Sequence, residues 1–389
     1  MPPFNMLRAK LPVSQMRRKH KLQRIFVYLG GGVFLLLIAG VLFIKFDTSA
    51  AANFTDNVLR PILGPRIVLA MEQAFFNTSD AAKRITANGK TQVSPLLATT
   101  TTDALSSNGG TLTVRTIPQF VSFPSIAHEG VWRVKALSQF PNQTVAAYTF
   151  VRPDPLRSYA FVTIIQLDMS KLRLSAVAGT KQPGGPIGMP GPGIIPQQTI
   201  QSNTLVAAFD GGFQYRDGQY GMRIGSTTYV PLQQNIGTLV GYVDGSLKIV
   251  NYSGQSLGSN VAFIRQNCPI LVENGQVVAL NELNKKLWGR TFSSDIITWR
   301  SGIGLTANGN LLFAVGNSLT PQTLGQALKM AGAASALQLD INPNWVRFNF
   351  FEPTGPGTYA STTLTKDLKD GSKAYLTGYS KDFFYVTKK

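Results

Sequence analysis

Over most of the chain the apolar positions come in short runs of four to nine residues, cut by Gly, Asn, Asp and Pro. That spacing predicts strands and tight turns. Thr144–Val151 and Tyr159–Gln166 (YAFVTIIQ) are β-rich and joined across Arg152-Pro153-Asp154-Pro155, while Leu172–Ala178 alternates as a half-buried strand does. Three hairpins are signalled by turn dipeptides: Leu239–Val243 and Leu247–Val250 around Asp244-Gly245, Pro269–Val272 and Gln276–Ala279 around Asn274-Gly275, and Gly302–Thr306 and Leu311–Val315 around Asn308-Gly309. Leu205–Phe209 and Ala336–Leu339 are apolar runs that stop at an acid, Asp210 and Asp340. One helix stands out. Thr320 is an N-cap, Pro321 fits the first helical position, Leu324, Ala327, Leu328 and Ala331 share a face, and Gly332 stops it. Pro183–Pro196 is Gly/Pro-rich without a strict Gly-every-third period, so it is a loop and not collagen. The pattern predicts a sheet-dominated α+β domain with few helices over residues 111–389.

The N-terminal pattern differs. Residues 1–24 hold seven Lys/Arg and no acid, and Ile25–Ile44 (IFVYLGGGVFLLLIAGVLFI) carries no charge. Twenty residues at about 1.5 Å each span roughly 30 Å, one bilayer core. The expectation is one transmembrane helix within residues 25–46, a cytoplasmic tail over 1–24, and a single-pass plasma-membrane protein whose C-terminal domain lies outside. A cleavable signal peptide ending at Ala50-Ala51-Ala52 is the rival reading. Residues 47–110 read as a helical stalk to about Arg84, then a Thr/Ser/Ala/Gly tether.

The formal net charge is +18, and eight of the 37 Lys/Arg lie at or before Lys45. The outer part therefore holds 29 basic and 19 acidic residues, or +10, which favours an anionic partner. No clustered basic-aromatic motif lies outside the tail, so nucleic acid is not expected. One cysteine, Cys268, rules out an internal disulfide. His20 lies in the tail, so only His128 remains outside, which excludes zinc sites of several His or Cys ligands and any Ser-His-Asp triad that does not use His128.

Chemistry must then rest on carboxylates, arginines, amides and backbone. In Asp210-Gly211-Gly212-Phe213 two glycines permit a tight turn whose N–H groups converge on an anion; the plain alternative is a simple turn. Asp340, Asn342 and Asn344 alternate after an apolar run, suited to a sugar, a phosphate or a divalent cation such as Ca²⁺, or to closing a strand end by Asx turns. Arg300 opens one apolar strand and Arg265-Gln266-Asn267 follows another; a guanidinium there grips phosphate or pairs with a buried acid. Glu129, between apolar neighbours, is a candidate acid/base or a loop anchor. Arg152 and Asp154 are expected to pair locally, and Asp382 to dock a strand.

Together these pieces resemble the phosphodiester glycosidase family, from about Glu129 onward. Ala207–Phe213 is similar to the family's Asn-Gly-Gly-Phe turn, with Asp210 for Asn, and Arg300-Ser301-Gly302-Ile303-Gly304 to its Arg-Thr-Ala-Ile-Gly strand. The strand into Asp340 is similar to the one before its Asp-Gly-Gly-Gly-Ser loop, but here Ile341-Asn342-Pro343-Asn344 replaces the glycines and serine. The resemblance implies hydrolysis of a sugar 1-phosphodiester in an envelope or extracellular glycan. Asp340 and Glu129 would supply the carboxylates. Arg300, Arg265 and the Gly211 and Gly212 amides would hold the phosphodiester, and Asp210, Asn267, Asn342 and Asn344 would orient the substrate or a cation. Membrane-anchored members look bacterial and carry exopolysaccharide labels. A non-catalytic module that binds anionic glycan or assists exopolysaccharide assembly is the alternative.

Overall fold

A computed structural model describes residues 55–87, 112–119, 123–185, 189–278 and 297–389. The expected membrane span, its cytoplasmic tail and the tether lie outside these residues. Among the described residues no helix is long and apolar enough to cross a bilayer.

Two compact units divide at Val68 and Leu69. In the first, residues 55–63 are helical and Gly64 (φ 80°) halts the winding. Helix α1 (Pro65–Ala87) begins there and continues into the second unit. Within that unit Asp80 on α1 is buried and accepts from Arg157 Nε at 3.1 Å and the Tyr159 hydroxyl at 2.6 Å. Asp80, in the segment read from the sequence as a stalk, thus lies in the same unit as Arg157 and Tyr159 and bonds to both.

Strands β1 (Arg133–Val134), β2 (Ala146–Val151) and β3 (Val162–Leu167) begin the largest sheet. β4 (Leu172–Val177) and β5 (Leu205–Asp210), separated by the short α2 (Gln197–Gln201), belong to a second. β6 (Met222–Ile224), β7 (Thr227–Val230), β8 (Ile236–Tyr242), β9 (Leu247–Tyr252) and β10 (Val261–Gln266) form a third. The chain then returns to the first sheet with β11 (Ile270–Glu273), β12 (Gln276–Val277), β13 (Thr298–Thr306), β14 (Leu311–Leu319) and, after helix α3 (Pro321–Met330), β15 (Ala333–Ile341). β16 (Phe348–Gly355), β17 (Thr358–Thr363) and, after α4 (Ser372–Thr377), β18 (Phe383–Lys388) complete the second. The orders are β1-β2-β3-β14-β13-β15-β11-β12, β17-β16-β5-β18-β4 and β7-β6-β10-β8-β9.

The three predicted hairpins form where the turn dipeptides lie. Asn274 (φ 50°) and Gly275 (φ 71°) sit in the left-handed region that such a two-residue turn demands. α3 has the expected cap: the Thr320 hydroxyl accepts from Thr323 N and the Thr323 hydroxyl accepts from Thr320 N. Thr320→Ala is expected to cost about 1 kcal/mol, read as a shift of the urea midpoint.

The core lies between the first two sheets. Phe209 on β5 meets Phe313 on β14 (ring centroids 5.0 Å), Phe348 on β16 (5.6 Å) and Phe384 on β18 (5.6 Å), and all four are buried. Fully burying each such ring contributes about 1.5–3 kcal/mol. This packing holds β5, whose end at Asp210 is next to the polar cluster, in the middle of its sheet.

Candidate active site

β5 ends at Asp210, between β16 and β18. Asp210 N donates to Arg347 O, and Arg347 N returns a bond to Asp210 Oδ1 at 2.9 Å. Across the core, β13 and β15 carry a bulge: Arg300 pairs with Ile341 but Gly302 with Gln338, so Ser301 faces two residues. The bulge aims the Ser301 hydroxyl at Asp210 Oδ2 (2.6 Å) and at the Asp340 carbonyl (3.2 Å), and Asp340 N also reaches Asp210 Oδ2 at 3.3 Å. Asp210 therefore clamps both ends of the turn from Asp340 to Arg347.

The Asp340 side chain faces the other way. Oδ1 accepts from Ile341 N at 3.0 Å and Oδ2 takes the Lys381 ammonium in a direct ion pair. Both residues are about 3% exposed. The ammonium also lies 4.8 Å from the centre of the Trp345 ring. Burial, and then the charge of Asp340, push the Asp210 carboxyl up to about 7 against the donors around it. Burial pushes Asp340 up to about 6, opposed chiefly by Lys381. Burial alone would lower Lys381, but the Asp340 charge outweighs it and the ammonium is held above its ordinary range.

Ser301 lets Asp210 exist in both protonation states. Ionised Asp210 accepts the hydroxyl proton; protonated Asp210 donates to Ser301 Oγ while the hydroxyl turns to the Asp340 carbonyl. An acid whose folded pKa is raised binds more protons folded than unfolded between about pH 4 and 7. Its contribution is therefore full below the unfolded value and is lost as pH rises through the folded one. Asp210→Asn, which mimics the protonated acid, should lack this pH dependence when urea stability is compared at pH 4.5 and 8.

The glycine elbow is not an open anion cradle. Gly211 N donates to Asp382 O, Gly212 N to Asp382 Oδ2 at 3.0 Å and Phe213 N to Asn267 Oδ1 at 2.9 Å. The nest has an occupant of its own, the Asp382 carboxylate. Glycine is still required: a Cβ on Gly212 would lie 2.6 Å from Arg265 Nη2, and one on Gly211 2.1 Å from Asp382 Oδ2. Arg265 has no proton left for a substrate. Nε and Nη2 donate to Asp382 (2.8 and 3.2 Å), Nη2 also to Phe213 O, and Nη1 to the carbonyls of Tyr220 and Gln266, which uses all five N–H groups. Asn267 ties the elbow to β15 through the carbonyls of Gln338 (2.8 Å) and Leu339 (2.7 Å).

Arg300 is buried, donates to Leu319 O at 2.9 Å and to Gln338 Oε1 at 2.7 Å, and is lowered by burial to about 10, so it stays cationic at neutral pH. Glu129 belongs elsewhere. Both its oxygens are held by Arg152 N, Nε and Nη2 at 2.6–3.1 Å, and the pair is buried. A carboxylate saturated by a fixed guanidinium has no free lone pair for proton transfer, so the expected acid/base role does not fit. The same contact corrects the expected Arg152–Asp154 pair, since Asp154 bonds Arg157 at 2.7 Å. Asn342 (φ 84°) closes an Asx turn, Oδ1 to Asn344 N at 3.0 Å, and Asn344 Oδ1 takes Lys369 Nζ at 2.7 Å. These amides shape the turn that carries Trp345. Cys268 is buried and its thiol is pushed up to about 12 by that burial, far from a nucleophile's range.

The Asp210–Ser301–Asp340 triangle joins the three motifs through which the sequence resembles a family, and the family comparison falls on the same stretch. Residues 203–340 match the phosphodiester glycosidase family model. The matched segment of this phosphodiester glycosidase-like domain includes Asp210, Gly211, Gly212, Arg265, Asn267, Arg300 and Asp340 but not Glu129, Asn342 or Asn344. No curated protein matches the chain. Among solved structures, the catalytic domain of zebrafish N-acetylglucosamine-1-phosphodiester alpha-N-acetylglucosaminidase, auto-inhibited by its pro-peptide, is similar at 13% identity, over 66% of this chain and 88% of that one, with a TM-score of 0.39. A hypothetical protein from Synechocystis is similar at 13% identity over 64% and 63%, with a TM-score of 0.33. Sequence reasoning assigned no role to Lys381 and only a strand-docking role to Asp382, the two charged residues that complete this cluster. Their signal was the one that marked Asp340: charged residues directly abutting an apolar strand.

Proposed function

We propose that the chain hydrolyses a sugar 1-phosphodiester, with the domain held outside a membrane by the uncharged segment Ile25–Ile44. The observation that carries this reading is the buried contact between the ends of β5 and β15, where Ser301 joins the Asp210 carboxyl to the backbone of Asp340, whose own carboxyl pairs with Lys381; Asp210, Ser301 and Asp340 all lie in the segment matched to phosphodiester glycosidases. Glycoside hydrolysis needs a carboxylate at the anomeric carbon. Asp340 takes that role, kept ionised by Lys381, and either attacks the carbon or takes a proton from water. The C–O bond to phosphate breaks, water oxygen ends on the sugar, and a phosphomonoester leaves. A phosphomonoester has a second pKa near 6, so its departure needs little proton donation. Asp210 acts as a positioning residue that fixes the backbone of Asp340 and Arg347.

The expected Ca²⁺ does not fit this reading. The Lys381 ammonium holds the place beside Asp340 that a cation would take, and among the described residues no three His, Cys, Asp or Glu side chains converge. The test is incubation of the full chain with a chromogenic glycosyl phosphodiester. Turnover is expected, unchanged by a chelator and rising with pH through about 6 as Asp340 ionises. Saturable binding without product would select the alternative, an anionic-glycan-binding module, which the occupied elbow and the asparagine-closed turn after Asp340 favour.

A further inference from the structure

If Arg265 is spent on Asp382 and on carbonyls, and the glycine elbow on Asp382, the phosphate of the substrate needs another partner. Arg347 is tied to the carboxyl cluster through its backbone: its N bonds Asp210, and Asn344 O and the face of the Tyr379 ring (5.2 Å) position its head. The side chain is only partly buried. Its Nε, however, is buried and without a hydrogen-bond partner among the described residues. The hydroxyl of Tyr375, a fully buried residue, is in the same condition. The two side chains share one small space: a Cβ placed on Gly371 would lie 2.9 Å from Arg347 Cδ and 3.0 and 3.2 Å from Tyr375 Cε2 and Cζ. Tyr375 packs edge-on against Tyr379 with ring centroids 5.7 Å apart, so Tyr379 touches both.

A buried donor whose bond is unmade is destabilising, and a ligand that supplies acceptors would relieve both of these. The charge around them suits an anion. Lys369 approaches the same turn through Asn344, and Lys381 approaches it over Trp345. The facing acids each have other partners, Asp210 in amides and Ser301, Asp340 in Lys381, and Asp370 in Asn349 and Ser372 N, although the Asp370 carboxyl also feels the Arg347 charge.

We propose that Arg347, with the Tyr375 hydroxyl as second donor, is the phosphate-binding site of this domain and takes the non-bridging oxygens of a phosphodiester or phosphomonoester. The assignment rests on the hydrolase reading for its substrate, but the site itself is an anion site and is tested as one. A guanidinium suits it because its planar fork donates two bonds to one phosphate. In the reaction it carries the charge that gathers on the departing phosphate.

The experiment is calorimetric titration of the full chain with inorganic phosphate, using wild type, Arg347→Gln, Arg347→Lys and Tyr375→Phe. Wild type is expected to bind. Arg347→Gln should weaken binding by about tenfold or more and Tyr375→Phe by about threefold, with Arg347→Lys in between. Side-chain changes at Arg347 leave its backbone bond to Asp210 in place, and a melting curve on each variant reports folding. Arg347→Gln binding phosphate as well as wild type overturns the proposal, and so does a wild type that binds none. Should Arg347→Gln fail to fold, Tyr375→Phe and Arg347→Lys decide by the same criterion. Loss of phosphate binding in Arg347→Gln, in a protein whose wild type turns over no glycosyl phosphodiester, leaves the anion site standing and sinks the hydrolase reading alone.

Discussion

Asp340→Asn lowers turnover of a glycosyl phosphodiester by about 10²–10⁴-fold, the range expected when a positioned acid/base is removed. The substitution is nearly isosteric, and its oxygen can still accept from Ile341 N as Asp340 Oδ1 does. What it removes is the negative charge opposite Lys381, and with it the group able to attack or deprotonate. It also strands an ammonium that is 3% exposed, a known route to instability. The companion variant Asp340→Asn with Lys381→Met removes both charges and separates the two effects. Both variants are expected to be inactive in a sugar-release assay while the double variant melts near wild type. Retained turnover in the folded double variant would take Asp340 out of the chemistry.

The largest stability effect is expected at Asp382→Asn. Asp382 accepts from Arg265 Nε and Nη2 and from Gly212 N, and acid and guanidinium are each about 1% exposed. Removing one partner of such a pair leaves a buried charge uncompensated, at a cost of about 3–5 kcal/mol. The elbow has no slack to absorb the loss, because Arg265 and Asn267 already crowd Gly212. The half-exposed pair of Lys135 with Glu352, 4.0 Å apart, is the internal control: Glu352→Gln should cost at most about 1 kcal/mol. Urea unfolding of both variants checks this. Equal small losses would mean that the Arg265–Asp382 contact does not organise the elbow.

The local fold was legible wherever one dipeptide or cap decides the backbone. Asn274-Gly275, Asp244-Gly245, Asn308-Gly309 and Thr320-Pro321 all lie where the sequence placed them, since φ and capping preferences act over three or four residues. β6, β7, β16 and β17 were not foreseen: β6 and β7 are only 3 and 4 residues long, and β17 alternates exposed and half-buried positions around Thr and Ser with little apolar contrast. Within the site, Asp210 and Asp340 were visible as acids that end apolar runs. Glu129 looked equivalent for the same reason, yet apolar flanks equally mark an acid buried against an arginine, and Arg152 lies 23 residues away where no local rule connects them. Arg265 and the elbow amides were legible as a cluster, but which anion they hold was not: their acceptor, Asp382, arrives from a strand more than a hundred residues later.

β18 lies between β4 and β5 in the second sheet, and Phe383 pairs with Val177 on one side and Asp210 on the other. It is made about two hundred residues after β4, on the order of ten to forty seconds at typical synthesis rates of about 5–20 residues per second. Through that interval two hydrophobic ribbons have open edges facing each other across the gap where their shared neighbour belongs. A nascent chain in this state invites wrong pairing, and holding those edges apart is a task for whatever chaperone meets the protein first.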